Sequence, residues 1–226
     1  MPRPAALQLS LALILSTAVT STAVTLYQVD DFSSGTAGWL EGDVSPNPPV
    51  VEDTGLVGGG YLRNDSLGGG GAGGRLVMWN DEQWTGDYIG AGIVAIQFDA
   101  LSTGDQPVDF RFAFNGEGGW FYSPAIRIDD FASGPDLTLF TLPITSADLL
   151  HASGGSGIYA DTMSAVTRME ILTATGIPSV GRSPDVLRGD RLEGTLFVDN
   201  ITAIPEPGTG LLLLIASFAV GARRRR

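Results

Sequence analysis

Apolar and polar residues alternate with a period of two through much of the chain. From Ile93 to Ala100, Val94, Ile96 and Phe98 fall on one face and Ala95, Gln97 and Asp99 on the other. From Val108 to Phe114, Val108, Phe110, Phe112 and Phe114 oppose Asp109, Arg111 and Ala113. This is the pattern of a strand with one face in a core. Arg75–Trp79, Ala125–Asp129, Leu137–Leu142, Thr167–Thr173 and Thr195–Ile201 are further strands by the same criterion. Turn and breaker residues cluster between these runs, at Pro46–Pro49, Gly58–Gly60, Gly68–Gly74, Ser153–Gly157 and Pro178–Pro184. Gly68–Gly74 lacks the Gly-Lys-Ser/Thr ending of a phosphate loop and reads as a hairpin connection. One short helix is expected around Ser146–His151, with Thr145 as its N-cap. Many short strands and almost no helix predict an all-β fold, a two-sheet antiparallel β-sandwich of jelly-roll type.

The two ends break the pattern. Arg3 precedes an apolar run from Ala5 to Val19, and Ser21-Thr22-Ala23 offers a small-residue cleavage site. Residues 1–23 therefore read as a signal peptide, cut by signal peptidase to leave a mature chain near Val24. At the other end, Pro205-Glu206-Pro207 precedes an uncharged stretch from Gly208 to Ala222 and the cluster Arg223, Arg224, Arg225 and Arg226. The prolines bar regular helix or a central strand, so the segment around Glu206 should be extended and accessible. The apolar stretch would enter lipid as a short transmembrane helix, with the arginines on the cytoplasmic side. It is shorter than the roughly 20 residues of a full span.

This ending resembles the PEP-CTERM sorting signal of Gram-negative bacteria. The resemblance covers residues 205–226 and implies exosortase as a partner. It also implies an inner-membrane intermediate, with a transient or retained anchor, and export to the cell surface or extracellular matrix. The family's association with exopolysaccharide and biofilm implies a structural or adhesive role. Residues 24–204 are left as one β-sandwich domain.

Composition narrows the partners of that domain. The chain carries 25 acidic residues against 13 Lys+Arg, for a net charge of -12, and all its basic residues are arginines. Four of those thirteen lie in the tail, so the core is more acidic still. Phosphate contacts need clustered positive charge, and nucleic acid is excluded as a partner. The chain has no cysteine and one histidine, His151, which removes disulfides and any His/Cys zinc site. No Gly-x-Ser-x-Gly elbow surrounds a serine, so a Ser-His-Asp hydrolase is not indicated.

Asp30-Asp31-Phe32 followed by Gly38-Trp39, and Phe197-Val198-Asp199-Asn200-Ile201 near the end, resemble the opening and closing strands of carbohydrate-binding-module and laminin-G-like jelly rolls. The resemblance implies adjacent first and last strands, with Asp31 and Asp199, neighboured by Asp30, holding a structural calcium. Calcium takes six to eight oxygens, so backbone carbonyls or further acids would have to complete the set; solvated strand-end acids are the alternative.

Two aromatic groups are candidate sugar contacts. Trp79, Trp84 and Tyr88 alternate with acids and amides, and Trp120, Phe121 and Tyr122 lie in the loop-like Asn115–Ser123. Rings stack on sugar C–H faces while Asp, Asn and Gln take the hydroxyls, which nominates Trp79, Trp84, Tyr88, Trp120 and Tyr122. Packing in a core is the competing use of those rings. A glycoside hydrolase needs two suitably spaced carboxyls, and no acid, Glu82, Glu117 and Glu170 included, stands out as buried. The sequence thus describes an exported, non-enzymatic surface protein, with a carbohydrate-binding module as the alternative.

Overall fold

The computed structural model describes residues 23–42, 45–52, 60–71, 73–104, 107–128, 137–181 and 186–206. Its strands form two antiparallel six-stranded sheets packed face to face, a β-sandwich. The first sheet has the order β2 (Val50–Glu52), β3 (Tyr61–Leu67), β14 (Glu193–Pro205), β5 (Ile93–Thr103) and β9 (Thr138–Pro143), with β1 (Val29–Asp30) also on β14. The second has the order β10 (Leu150–Ser153), β7 (Gly119–Tyr122), β6 (Val108–Gly116), β11 (Arg168–Thr173) and β4 (Val77–Asn80), with β8 (Ile126–Ile128) also on β6. First and last strands lie together, Val29 opposite Thr202 and Asp30 opposite Ile201.

The alternation read from the sequence decides which face is buried. Phe110, Phe112 and Phe114 of β6 turn inward against Ile96, Phe98 and Ala100 of β5. Phe98 stacks on Phe110 at 5.0 Å and meets Phe112 edge-on at the same distance. Each such pair adds about 0.5–1.5 kcal/mol beyond the area it buries. All seven strands expected from the alternation are present, with shifted ends.

Several expectations are corrected. Ser146–His151 is not a helix: the Asp148 carboxylate accepts both the N–H and the hydroxyl of Thr145 and closes a single turn, after which the chain enters β10. Among the described residues the helix is α1, Tyr159–Met163. Gly68–Gly74 crosses from β3 in one sheet to β4 in the other, so it joins no hairpin. Asn115–Ser123 is no loop but the β6–β7 hairpin, turned at Glu117-Gly118 and followed by Gly119 at φ 94°.

The sandwich also runs one residue past Ile204. Pro205 is buried as the last residue of β14, opposite Ile93, and the Glu206 N–H donates to Gly92 O at 3.1 Å. Proline is tolerated there because the register shifts between Ile204 and Pro205, at the strand's end, where no ladder N–H is required. Glu206 is exposed as expected. Pro207, Arg223 to Arg226 and the apolar stretches of both termini lie outside the described residues. Among the described residues no helix is long and apolar enough to cross a membrane.

Candidate functional site

Strand pairing lines up side chains in rows across the outer face of the second sheet, the face turned away from the first sheet. Arg168 of β11, Asn115 of β6, Trp120 of β7 and Ser153 of β10 are successive register partners and form one row. Trp79 of β4, Glu170, Ala113 and Tyr122 form the next. Residues two apart on a strand share a face, which puts both rows on the same side. A groove of about 380 Å³ opens beside the first row, lined by Asn115, Gly116, Gly119, Trp120, Ser153, Gly154, Gly155 and Val180.

Glycines shape this groove through close backbone approach. Gly119 (φ 94°) lies so near the Ser153-Gly154 backbone, and Gly155 (φ 54°) so near Gly118, that a Cβ at either would collide with main chain. The β6–β7 hairpin is thereby pressed against the turn after β10. Inside, the Ser153 hydroxyl is buried with no hydrogen-bond partner among the described residues. Such a hydroxyl is costly unless a ligand or water meets it.

The second row lies beneath a two-stranded ribbon, β12 (Ser179–Val180) and β13 (Leu187–Arg188). Val180, Val186 and Leu187 cover an apolar cluster of Val77, Trp79, Ala113, Trp120, Tyr122, Leu172 and Ala174. Arg168 lies 5.1 Å from the Trp79 ring centre and pairs with Asp81 at 2.9 Å. Arg111 lies 5.4 Å from the Tyr122 ring centre, pinned by bonds of 2.8 Å to Ala174 O and Ser123 O. Between the two rings Glu170 is fully buried and accepts the Leu187 N–H at 3.0 and 3.3 Å. Desolvation pushes its carboxyl well above the usual range, against the lowering effects of that N–H and of Arg168. Nothing in the local pattern signals this burial: β11 reads Arg168-Met169-Glu170-Ile171, which only places Glu170 on the face opposite the core.

The five proposed ring contacts separate into two sets. Trp84 and Tyr88 belong to the core between the sheets, each with no exposed surface. The Asn80 side chain accepts the Trp84 N–H at 3.2 Å, and the Tyr88 hydroxyl donates to Trp84 O at 2.9 Å, which turns the segment inward. They are not surface sugar contacts. Trp79, Trp120 and Tyr122 do share the outer face, though ribbon and turns leave them nearly covered.

The acids also separate. Asp30 is buried, its Oδ2 accepting the indole N–H of both Trp39 (2.8 Å) and Trp84 (2.7 Å), while Gln83 donates to Oδ1. Asp31 accepts the Ser33 hydroxyl and N–H, which hold its carboxyl below the usual range. Asp199 is the register partner of Asp99, and the Asn200 amide (φ 52°) bridges the two at 3.2 and 2.9 Å. Burial, with Asp99 and Asp31 nearby, raises Asp199 to about 6. Asp99 and Asp199 offer the hard oxygens calcium takes, whereas Asp31 is engaged in its own turn. No group of three or more His, Cys, Asp or Glu among the described residues is placed to hold a metal.

No family model and no characterised protein matches the sequence. Solved structures do. An exo-β-agarase matches over 80% of this chain at 13% identity and TM-score 0.53, and the matched region is 25% of the agarase chain. The solution structure of CtCBM11 matches over 81% of this chain and 96% of its own at 13% identity and TM-score 0.51. The family 11 carbohydrate-binding module from Clostridium thermocellum, in complex with a β-1,3-1,4-mixed-linked tetrasaccharide, matches at 14% identity and TM-score 0.49, over 80% and 96%. The chain thus shares the β-sandwich fold of CtCBM11.

Proposed function

We propose that this protein is a carbohydrate-binding β-sandwich that engages a polysaccharide in the groove beside Asn115, Trp120 and Ser153. The carrying observation is the buried Ser153 hydroxyl, without a hydrogen-bond partner among the described residues, in a groove lined also by Asn115 and Trp120. The volume falls in the roughly 300–1,000 Å³ range of ligand sites. The shared fold with CtCBM11 supports the reading. A non-catalytic role is part of the proposal; glycoside hydrolysis works with two carboxyls about 5–10 Å apart, and among the described residues the groove lining carries no Asp or Glu.

Affinity electrophoresis of the purified protein in agarose, xylan and mixed-linkage β-glucan gels tests the proposal. Saturable retardation by one polymer is expected, weakened about tenfold in Asn115→Ala, equivalent to about 1.4 kcal/mol. Unretarded migration in all three gels would sink it.

A second reading concerns delivery, and sequence alone supports it. The signal-like residues 1–23 and the ending from Pro205 to Arg226 favour an exported protein handled by signal peptidase and exosortase, with a membrane-anchored intermediate and a place at the cell surface or in an exopolysaccharide matrix. The resemblance also brings a structural calcium at Asp31 and Asp199, for which Asp99 supplies a neighbouring carboxylate.

A further inference from the structure

Most arginines of the sandwich are matched to an acceptor. Among the described residues Arg63 pairs with Glu52 and Asp65, Arg127 with Asp109 and Arg168 with Asp81, while Arg111 donates to two backbone carbonyls. Arg75, Arg188 and Arg191 differ. They come together at the edge of the second sheet, where β4 begins, and among the described residues none of the three has a carboxylate partner.

Backbone packing holds this group in place. The Arg75 guanidinium donates to Gly189 O, the residue after Arg188. Gly189 lies so close to Val77 and to the Thr173 and Leu76 carbonyls that no side chain fits there, so Arg188 and Asp190 are mounted on a fixed stretch of chain. Arg191 follows, its guanidinium laid against Gly70: a Cβ at Gly70 would come within 3.3 Å of Arg191 Nη2. The carboxylate between them in sequence is committed elsewhere, since Asp190 accepts the Thr175 N–H at 2.6 Å and its own N–H donates to Thr173 O at 2.6 Å. Arg75 is half-buried, and desolvation together with Arg191 and Arg188 lowers its pKa against an opposing effect of Asp190.

Like charges gathered in this way repel one another and oppose the fold unless an anion joins them. Guanidinium forks hold oxyanions bidentately. A chain of net charge -12 repels a continuous polyanion, nucleic acid or an anionic membrane surface included, so the group suits one isolated negative substituent on an otherwise neutral molecule. Approach is open, because Gly69, Gly70 and Gly71 are exposed beside it and nothing lies within 4 Å of where a Gly71 Cβ would be. The groove is close: Val180 of its lining is the register partner of Leu187, and Arg188 is the next residue, within about 10 Å along the backbone.

We propose that Arg75, Arg188 and Arg191 form an oxyanion site for an isolated sulfate ester or carboxylate carried by the polysaccharide in the groove. This rests on the carbohydrate-binding reading for its polymer and deepens it: the groove takes neutral sugar, and the guanidiniums select chains that bear a charged substituent.

Affinity electrophoresis of the purified protein in two matched pairs of gels, sulfated against desulfated agar galactan and glucuronate-substituted against plain xylan, separates the two sources of charge. One pair should show about tenfold tighter binding of its charged member. The double variant Arg188→Gln/Arg191→Gln should lose that preference and keep its affinity for the neutral member. Preference in neither pair, or a preference that the double variant retains, would overturn the proposal; so would retention on anionic phospholipid vesicles without a preference in the gels. Inorganic sulfate tests the arginines without any polymer. At matched ionic strength it should raise the melting temperature of the wild type beyond the general rise from sulfate exclusion, which the double variant measures. Equal rises would mean an adventitious ion only and remove the site. A sulfate response limited to the wild type, with no polymer retarding either protein, would end the carbohydrate reading and the polysaccharide assignment while leaving an anion site. Without anion the double variant should melt no lower than the wild type, because mutually repelling charges are gone; a clear drop would mark the arginines as structural supports and count against the proposal.

Discussion

Asp30 shows how one residue can redirect the meaning of others. Trp84 in the sequence sits among acids and amides and has the chemistry of a sugar platform, yet its indole N–H is committed to a buried carboxylate together with that of Trp39. Hydrogen bonds to a charged group contribute about 1.5–3 kcal/mol each, and an orphaned partner costs more. Asp30→Ala should therefore lower unfolding free energy by about 3 kcal/mol in urea titrations, and Trp84→Phe by about 2 kcal/mol. A change below about 0.5 kcal/mol, the usual scale of surface substitutions, would contradict this role. Glu170 carries the pH signature. Its folded-state carboxyl is raised by desolvation, so above the ordinary Glu range the folded state retains a proton that the unfolded state has lost. Stability is fully present below about pH 4.3 and falls as pH rises from there toward the raised value, at up to about 1.4 kcal/mol per pH unit. Glu170→Gln should flatten that decline in thermal melts between pH 4 and 8; parallel profiles for the two proteins would remove Glu170 as its source.

At the scale of elements, the groove depends on two turns that only glycine permits to touch. Gly119→Ala adds strain at a positive φ and a main-chain collision, and the expected loss is about 2 kcal/mol or more, with a weakened groove. A variant with wild-type melting and wild-type glycan retardation would show that the turns are not held together as described. The strands themselves were legible because period-two alternation names the inward face directly, as Phe110, Phe112 and Phe114 did. The short helix was not. Thr145 can cap a helix, but Asp148 folds back on it to make one turn, and the distinction between those uses lies three residues downstream of the cap. The β12–β13 ribbon was equally invisible, since two-residue strands are too short to show alternation.

At the scale of the whole molecule, the last strand of the sandwich runs into the sorting-like segment. Pro205 is buried on β14 and the Glu206 N–H is bonded to Gly92, so on the delivery reading the Pro-Glu-Pro segment is presented by the sandwich itself. Glu206→Ala, or removal of Arg223 to Arg226, should leave precursor in the inner membrane fraction; normal surface delivery of both variants would end that reading. The calcium proposal has its own test. Chelation should lower the melting temperature of the wild type and leave Asp199→Ala unaffected, whereas a wild-type transition indifferent to chelator would make Asp31 and Asp199 ordinary strand-end acids.

The sequence by itself determined the sandwich and its main strands, because burial of one face per strand is written locally as alternation; the meeting of its ends was what the resemblance to carbohydrate-binding-module jelly rolls implied. It also set the acidic balance, which argues against nucleic acid as a partner. Tertiary structure decided which aromatics lie in the core and which face outward. Trp84 and Trp79 sit five residues apart in similar company, and what separates them is the carboxylate of Asp30, more than fifty residues away in the chain, drawing one indole inward. Only strand register could set Trp79, Glu170, Ala113 and Tyr122 in one row, and only the packing of Val180, Val186 and Leu187 could cover that row, since both are contacts between segments that carry no mark of one another.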